Sequence, residues 1–255
     1  NLNGYITAGN SDGSAGAGNA AYELFLQNVG NTLQVNSQIV DNGANAVNLV
    51  TSMGTQNGVA IRLNNTNTYT GTTTINTTDL RLNSLAGPAI ANSLNIIVNG
   101  GTESATDSGR TANGRILFEQ SNQLNTGATV TLNDGVAALD LNGFNQTLSA
   151  IVINNRGGST GNATGQAPGV RTGTGTLTLT NGVTVANLEN TSTISNISGN
   201  ILLPAGQHTF SVDQVSAPGA AAQVGLSINA EMSGTGGIDK TGTGVMALTG
   251  VATYS

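Results

Sequence analysis

The sequence predicts an all-β chain, and within that class a right-handed parallel β-helix (β-solenoid). Three observations carry this. Apolar and polar residues alternate over runs of four to six, as in 31–35 (NTLQV), 129–132 (TVTL), 176–179 (TLTL) and 226–228 (LSI), and period 2 is the signature of a strand. Asn-Gly, Asp-Gly and Gly-Gly steps at 42–43, 57–58, 99–100, 134–135, 142–143, 157–158 and 181–182 punctuate these runs; such pairs tolerate φ > 0 and make tight turns. A unit of strand, turn, x-L-x-L-x-G/N strand and turn recurs at 80–83 (LRLN), 138–143 (ALDLNG), 177–182 (LTLTNG) and 246–250 (MALTG).

Units of about 20–25 residues imply stacking. One unit cannot bury its apolar face alone, so neighbouring coils share a continuous core. Aliphatic residues then point inward, and Thr, Ser and Asn point outward. At about 22 residues per coil the chain makes about 11 coils, and a coil spacing of about 4.8 Å gives a rod about 50 Å long. An antiparallel jelly roll is the alternative for so many short strands. The whole chain, 1–255, reads as one solenoid domain, the mature product or a piece of a larger secreted protein.

Along the chain, 2–7 (LNGYIT) is strand-like. Residues 20–27 (AAYELFLQ) carry good helix formers and no β-branched run, which fits a helix or a strand. Loops are expected at 11–20, 102–113, 156–174 and 217–222. The third (RGGSTGNATGQAPGVRTGT) is the longest and is expected to protrude from the scaffold.

Two segments resemble the autotransporter-associated β-strand repeat. Residues 238–255 (IDKTGTGVMALTGVATYS) match its first half. Residues 58–82 (GVAIRLNNTNTYTGTTTINTTDLRL) match its second half, with Asn67, Tyr69, Gly71, Thr73 and Ile75 in place. Residues 138–153 (ALDLNGFNQTLSAIVI) resemble a segment that often accompanies the repeat. The resemblance covers about a quarter of the chain. It implies the β-helical passenger of a secreted or surface-displayed bacterial protein, without the membrane translocator. In this motif Gly242 and Gly244 permit a tight turn, Lys240 lies at a coil edge, and Tyr69 and Tyr254 each cap a coil.

Composition narrows the function. Gly (36), Thr (35) and Asn (34) make up about two-fifths of the chain, while charged residues are only 8%; a typical domain has about 25%. Without Cys there are no disulfides, thiolate metal sites or Cys nucleophiles. A single His, His208, rules out His-cluster metal sites. Seven basic residues against thirteen acids give a net charge of −6 and no basic face for nucleic acid. No apolar run approaches the ~20 residues of a membrane helix, so no membrane insertion is expected. The abundance of Val, Ile, Leu and Thr argues against disorder.

Candidate sites are few. Glycoside hydrolysis needs two positioned carboxylates, but the acids are dispersed; Arg110 and Arg115 near Glu103 and Asp107 form the one mixed group and read as a surface ion pair. Asp140, in ALDLNG, reads as a solvated strand residue. His208 follows Gly206-Gln207 at an expected turn, has no nucleophile elbow near it, and reads as a surface histidine. Thr-x-Thr pairs, as at 72/74 and 129/131, would suit ice binding only if ranked on one flat face. The high Asn content fits turns and stacked Asn ladders.

The expectation is an extracellular or cell-surface bacterial structural or adhesive solenoid: a stalk or self-assembling fibre subunit, not an enzyme, with no cofactor or metal. The alternative is a carbohydrate-binding or carbohydrate-cleaving β-helix. Expected partners are other copies stacked head to tail, other surface proteins, or glycans. Leu2, Tyr5, Ile6, Leu248 and Tyr254 are the candidate assembly residues, because 2–7 is strand-like and the repeat stops part-way through a coil at Ser255.

Overall fold

Period-2 sequence becomes strand throughout. The computed structural model describes residues 4–9, 22–53, 60–100, 114–156, 168–188, 194–215 and 223–253. Among them are eighteen β-strands and no helix. In chain order they are β1 (Tyr5–Ile6), β2 (Tyr22–Asn28), β3 (Leu33–Val35), β4 (Gln38–Ile39), β5 (Val47–Met53), β6 (Ala60–Leu63), β7 (Thr73–Asn76), β8 (Asp79–Leu82) and β9 (Asn95–Asn99). They continue as β10 (Arg115–Phe118), β11 (Thr129–Asn133), β12 (Ala138–Asp140), β13 (Gln146–Asn155), β14 (Gly169–Asn187), β15 (Ser195–Val212), β16 (Val224–Ile228), β17 (Glu231–Thr241) and β18 (Val245–Leu248). The segment 20–27, open between helix and strand in the sequence, supplies β2, whose alternating Leu24 and Leu26 pack on the core.

Every strand-to-strand ladder is parallel. The architecture is the parallel β-helix. On the first face, Leu24, Leu49, Thr73, Ile96, Val130, Ile151, Val183, Phe210 and Lys240 share one register position in nine successive coils. On the second, Leu33, Ile61, Leu80, Ile116, Leu139, Val170, Ile197, Ile228 and Leu248 do the same. Nine coils at about 4.8 Å give a stack about 40 Å long, shorter than the 11 coils expected.

The shortfall arises at one corner, where the chain passes from the first face to the second. Asn76 and Asp79 are separated there by two residues, but Asn99 and Arg115 by fifteen. Of the loop expected at 156–174, residues 157–167 lie outside the described set, and Gly169 onward already belongs to β14. The loops expected at 102–113 and 217–222 likewise lie outside the described residues, as does 11–20.

The third face is thinner in the early coils. Single bridges join Asn67 to Ile90 and Ile90 to Leu124, and buried amides replace missing backbone partners. Asn67 Oδ1 accepts from Ile39 N at 2.7 Å while its Nδ2 donates to Ala89 O at 2.7 Å. Gln146 bridges Leu124 in the same manner, and Gln123 bridges Ser84. From β13 onward, single strands turn the corner with register shifts, and Leu177 and Ile201 pair on this face.

The core is a continuous aliphatic column including Leu49, Ile75, Leu80, Val98, Leu132, Leu179 and Ile201, all fully buried. Phe118, Phe210 and Tyr69 are its large rings. Tyr69 does not cap a coil from outside. It lies wholly inside the stack, where its hydroxyl meets Thr73 Oγ1 at 2.7 Å, and Thr73 in turn donates to Ser93 at 3.2 Å. Burial pushes the phenol pKa well above its ordinary value. Gly71, two residues on, is required by close approach: a Cβ there would overlap the carbonyl of Val47 in the preceding coil. Gly242 sits at φ 76°, as the predicted turn requires.

Candidate functional site

The sidewalls differ in chemistry because the outward-facing positions of the two principal faces differ. On the first face the central outward column reads Val50, Thr74, Ile97, Thr131, Val152, Thr184. Beside it run Asn76, Asn99, Asn133 and Asn154, each amide donating to the preceding one at 2.7, 2.8 and 2.8 Å. This face carries no charge from β5 to the end of β14. Thr74 and Thr131 alternate there with Val and Ile, so threonine does not form an unbroken rank. Thr176 and Thr178 belong to the third face, opposite Asn200 and Leu202.

The second face concentrates the charge. Gln34, Arg62, Arg81, Leu117, Asp140, Arg171 and Ser198 form one outward column. Asp79 and Arg115 lie opposite each other in the adjacent column, which then steps down to Ala138 and Gly169. Arg115 grips Asp79 with two hydrogen bonds, of 3.0 and 2.5 Å, and approaches Asp140 at 3.7 Å. The Asp79 hydrogen bond is the main reason that the Arg115 pKa is raised; burial opposes it, and the Asp79 and Asp140 charges add to it. Arg62 Nε donates to Glu119 at 2.5 Å, and Arg81 reaches the same carboxylate only at 4.0 Å. The Arg81 Nε is buried without a hydrogen-bond partner. Arg171 is exposed and has no ion-pair partner among the described residues.

Four of the seven basic residues therefore share this face with three of the thirteen acids. The face has a formal charge of +1 on a chain of −6. Sequence spacing hid the group: Arg62 and Glu119 are 57 residues apart, and Arg115 and Asp79 are 36 apart. The signal available was the phase of each charge within its strand, Arg62 in AIRL, Arg81 in DLRL and Arg115 in RILF, each out of step with the buried aliphatics. Of the expected mixed group, Glu103, Asp107 and Arg110 lie outside the described residues, and Arg115 pairs elsewhere. Asp140 faces outward as expected, but it is half-buried, approaches Arg115 and accepts from Asn142 N at 2.9 Å.

His208 is not on the surface. The Gly206-Gln207 step lies inside the continuous strand β15, just past a register shift, and alternation resumes at His208, which turns inward in phase with Phe210 and Val212. Its Nε2 lies 2.7 Å from Pro204 O, while Nδ1 is buried without a partner. No group of three or more His, Asp or Glu that could hold a metal occurs among the described residues.

The candidate assembly residues fall at opposite ends of the stack. Tyr5 and Ile6 pair with Gln38 and Ile39 in the first coil, with Tyr5 72% exposed. Leu248 pairs with Ile228 in the ninth coil and is 43% exposed. Leu2 and Tyr254 lie outside the described residues. In comparisons with known proteins, no family model, no curated protein and no solved structure matches the chain.

Proposed function

We propose that this chain is an extracellular structural and adhesive rod of a bacterial surface, a stalk whose long sidewalls meet other surfaces. The observation that supports this reading best is the continuity of the stack. Nine coils share an unbroken aliphatic column on the second face and one continuous register on the first, where Thr73, Phe210 and Lys240 interrupt the aliphatics, with hydrogen-bond ladders parallel to the axis. A core of this form holds a thin body straight and leaves its sides free for contact. The resemblance of 58–82 and 238–255 to autotransporter passenger repeats supports a bacterial, surface-displayed setting. Head-to-tail association of copies belongs to the same proposal, with Tyr5, Ile6 and Leu248 at the two ends of the stack.

Negative-stain microscopy and small-angle scattering of the purified chain at micromolar concentration test this. Rigid rods, single or joined in file, are the expected result. Compact spheres or a flexible coil overturn the reading, and single rods at every concentration overturn the association.

A further inference from the structure

We propose that the arginine band on the second face binds anionic polysaccharide, with Arg81 and Arg171 as its principal contacts. The proposal deepens the adhesive part of the function above, and rests on it, by naming the chemical class that the rod adheres to. The argument begins with charge. The chain is acidic overall, yet one sidewall has a positive excess, while the first face carries no charge from β5 to the end of β14.

The band is also unevenly paired. Arg115 has two carboxylates, Asp79 and Asp140. Arg62 and Arg81 share one, Glu119, and Arg62 holds it closely. This leaves Arg81 with a weak partner at 4.0 Å and Arg171 exposed with none among the described residues. A guanidinium is a planar fork that fits carboxylates and sulfates with two parallel hydrogen bonds. Arg81 and Arg171 stand in one column, three coil spacings apart, about 14 Å along the axis. The neighbouring column carries Asp79 level with Arg81 and Arg115 in the next coil, then falls to Ala138 and Gly169 level with Asp140 and Arg171, so the wall is low on the Arg171 side; Asp140, between the two arginines, lies 3.7 Å from Arg115. A polysaccharide lying along the axis can rest one acidic group on Arg171 over that low ground and place another, about 14 Å along, on Arg81. The sugar rings need no aromatic platform in such a site, and among the described residues no aromatic faces outward from β6, β8, β10 or β12 on this wall.

The test is calorimetric titration of the whole chain at low ionic strength with polygalacturonate, which carries carboxylates, and with heparin, which also carries sulfate esters. Dextran serves as the neutral control and duplex DNA as an unrelated polyanion. Binding of either polysaccharide, weakened by added salt, is expected. Binding of both marks the shared anionic chemistry, and binding of heparin alone assigns the sulfate. Arg171→Gln, at an exposed position, should weaken binding about threefold, and Arg81→Gln with Arg171→Gln about tenfold or more. Thr131→Asn on the uncharged face should leave it unchanged. No binding to either polysaccharide, equal binding to DNA or dextran, or full binding by a folded Arg171→Gln chain overturns the proposal. A chain that forms rods but binds no polyanion overturns this site and leaves the structural reading intact. A chain that binds but forms no rod overturns the structural reading instead.

Discussion

Asn133 Nδ2 donates to Asn99 Oδ1 at 2.8 Å, and Asn133 Oδ1 accepts from Asn154 Nδ2 at the same distance. The amide thus serves two coils at once, and replacing it by Ala strands a partner on either side. Asn133→Ala should cost about 1–2 kcal/mol. Asn154→Ala, which has only the donor contact within the ladder, should cost less. Denaturant midpoints of the two variants measure the difference.

Gly71 tests close approach between coils. A Cβ at Gly71 would overlap the backbone carbonyl of Val47, whereas a Cβ at Gly30 meets nothing within 4 Å. Backbone cannot yield as a side-chain tip can. Gly71→Ala should therefore destabilise the chain by about 2 kcal/mol or more, and Gly30→Ala should stay within about 0.5 kcal/mol. Thermal unfolding of the pair separates the two cases.

Alkaline stability should follow Tyr69. Its phenol is held protonated by burial in the folded chain, while the unfolded chain ionises it near the ordinary value of 10.0. The contribution is complete below that value and is lost as pH rises above it, because only the unfolded state gives up the proton. Tyr69→Phe should lose about 1 kcal/mol at pH 7 with the Thr73 hydrogen bond. It should also have a shallower loss of stability above pH 10. Urea unfolding at pH 7 and pH 11 reads both effects.

Glu119 is the shared anion of Arg62 and Arg81. Glu119→Gln leaves two guanidinium groups facing each other one coil spacing apart. It should cost about 1–2 kcal/mol at low salt, and the penalty should shrink in high salt as the like charges are screened. Unfolding at two ionic strengths checks it.

Much of this fold could be read from the chain. Leu80, Leu139 and Met246, each from a recurrent x-L-x-L segment, do stack on one face. The fourth recurrence, at Leu177, falls on the third face opposite Gln146, because β14 turns a corner without breaking. Local alternation gives the phase of a residue within its strand but not the wall on which the strand lies. The burial of His208 is illegible for a related reason: a Gly-Gln step looks the same whether it ends a strand or follows a bulge within one. The charged band was hidden more deeply. It is assembled from separate coils whose connections differ from two to fifteen residues, so no fixed spacing marks its members.

Those unequal connections all fall at the same corner, between a first-face strand and the second-face strand that follows it. The other parts of each coil vary much less in length, and each coil's backbone pairs only with the one before and the one after. Length is therefore a modular property of this body. Excising 73–95, from the start of β7 to the first residue of β9, would bring Leu49 onto Ile96 with every later register preserved. A lineage built this way can lengthen or shorten its rod by whole turns, and can decorate one edge with segments of any size, without redesigning the interior.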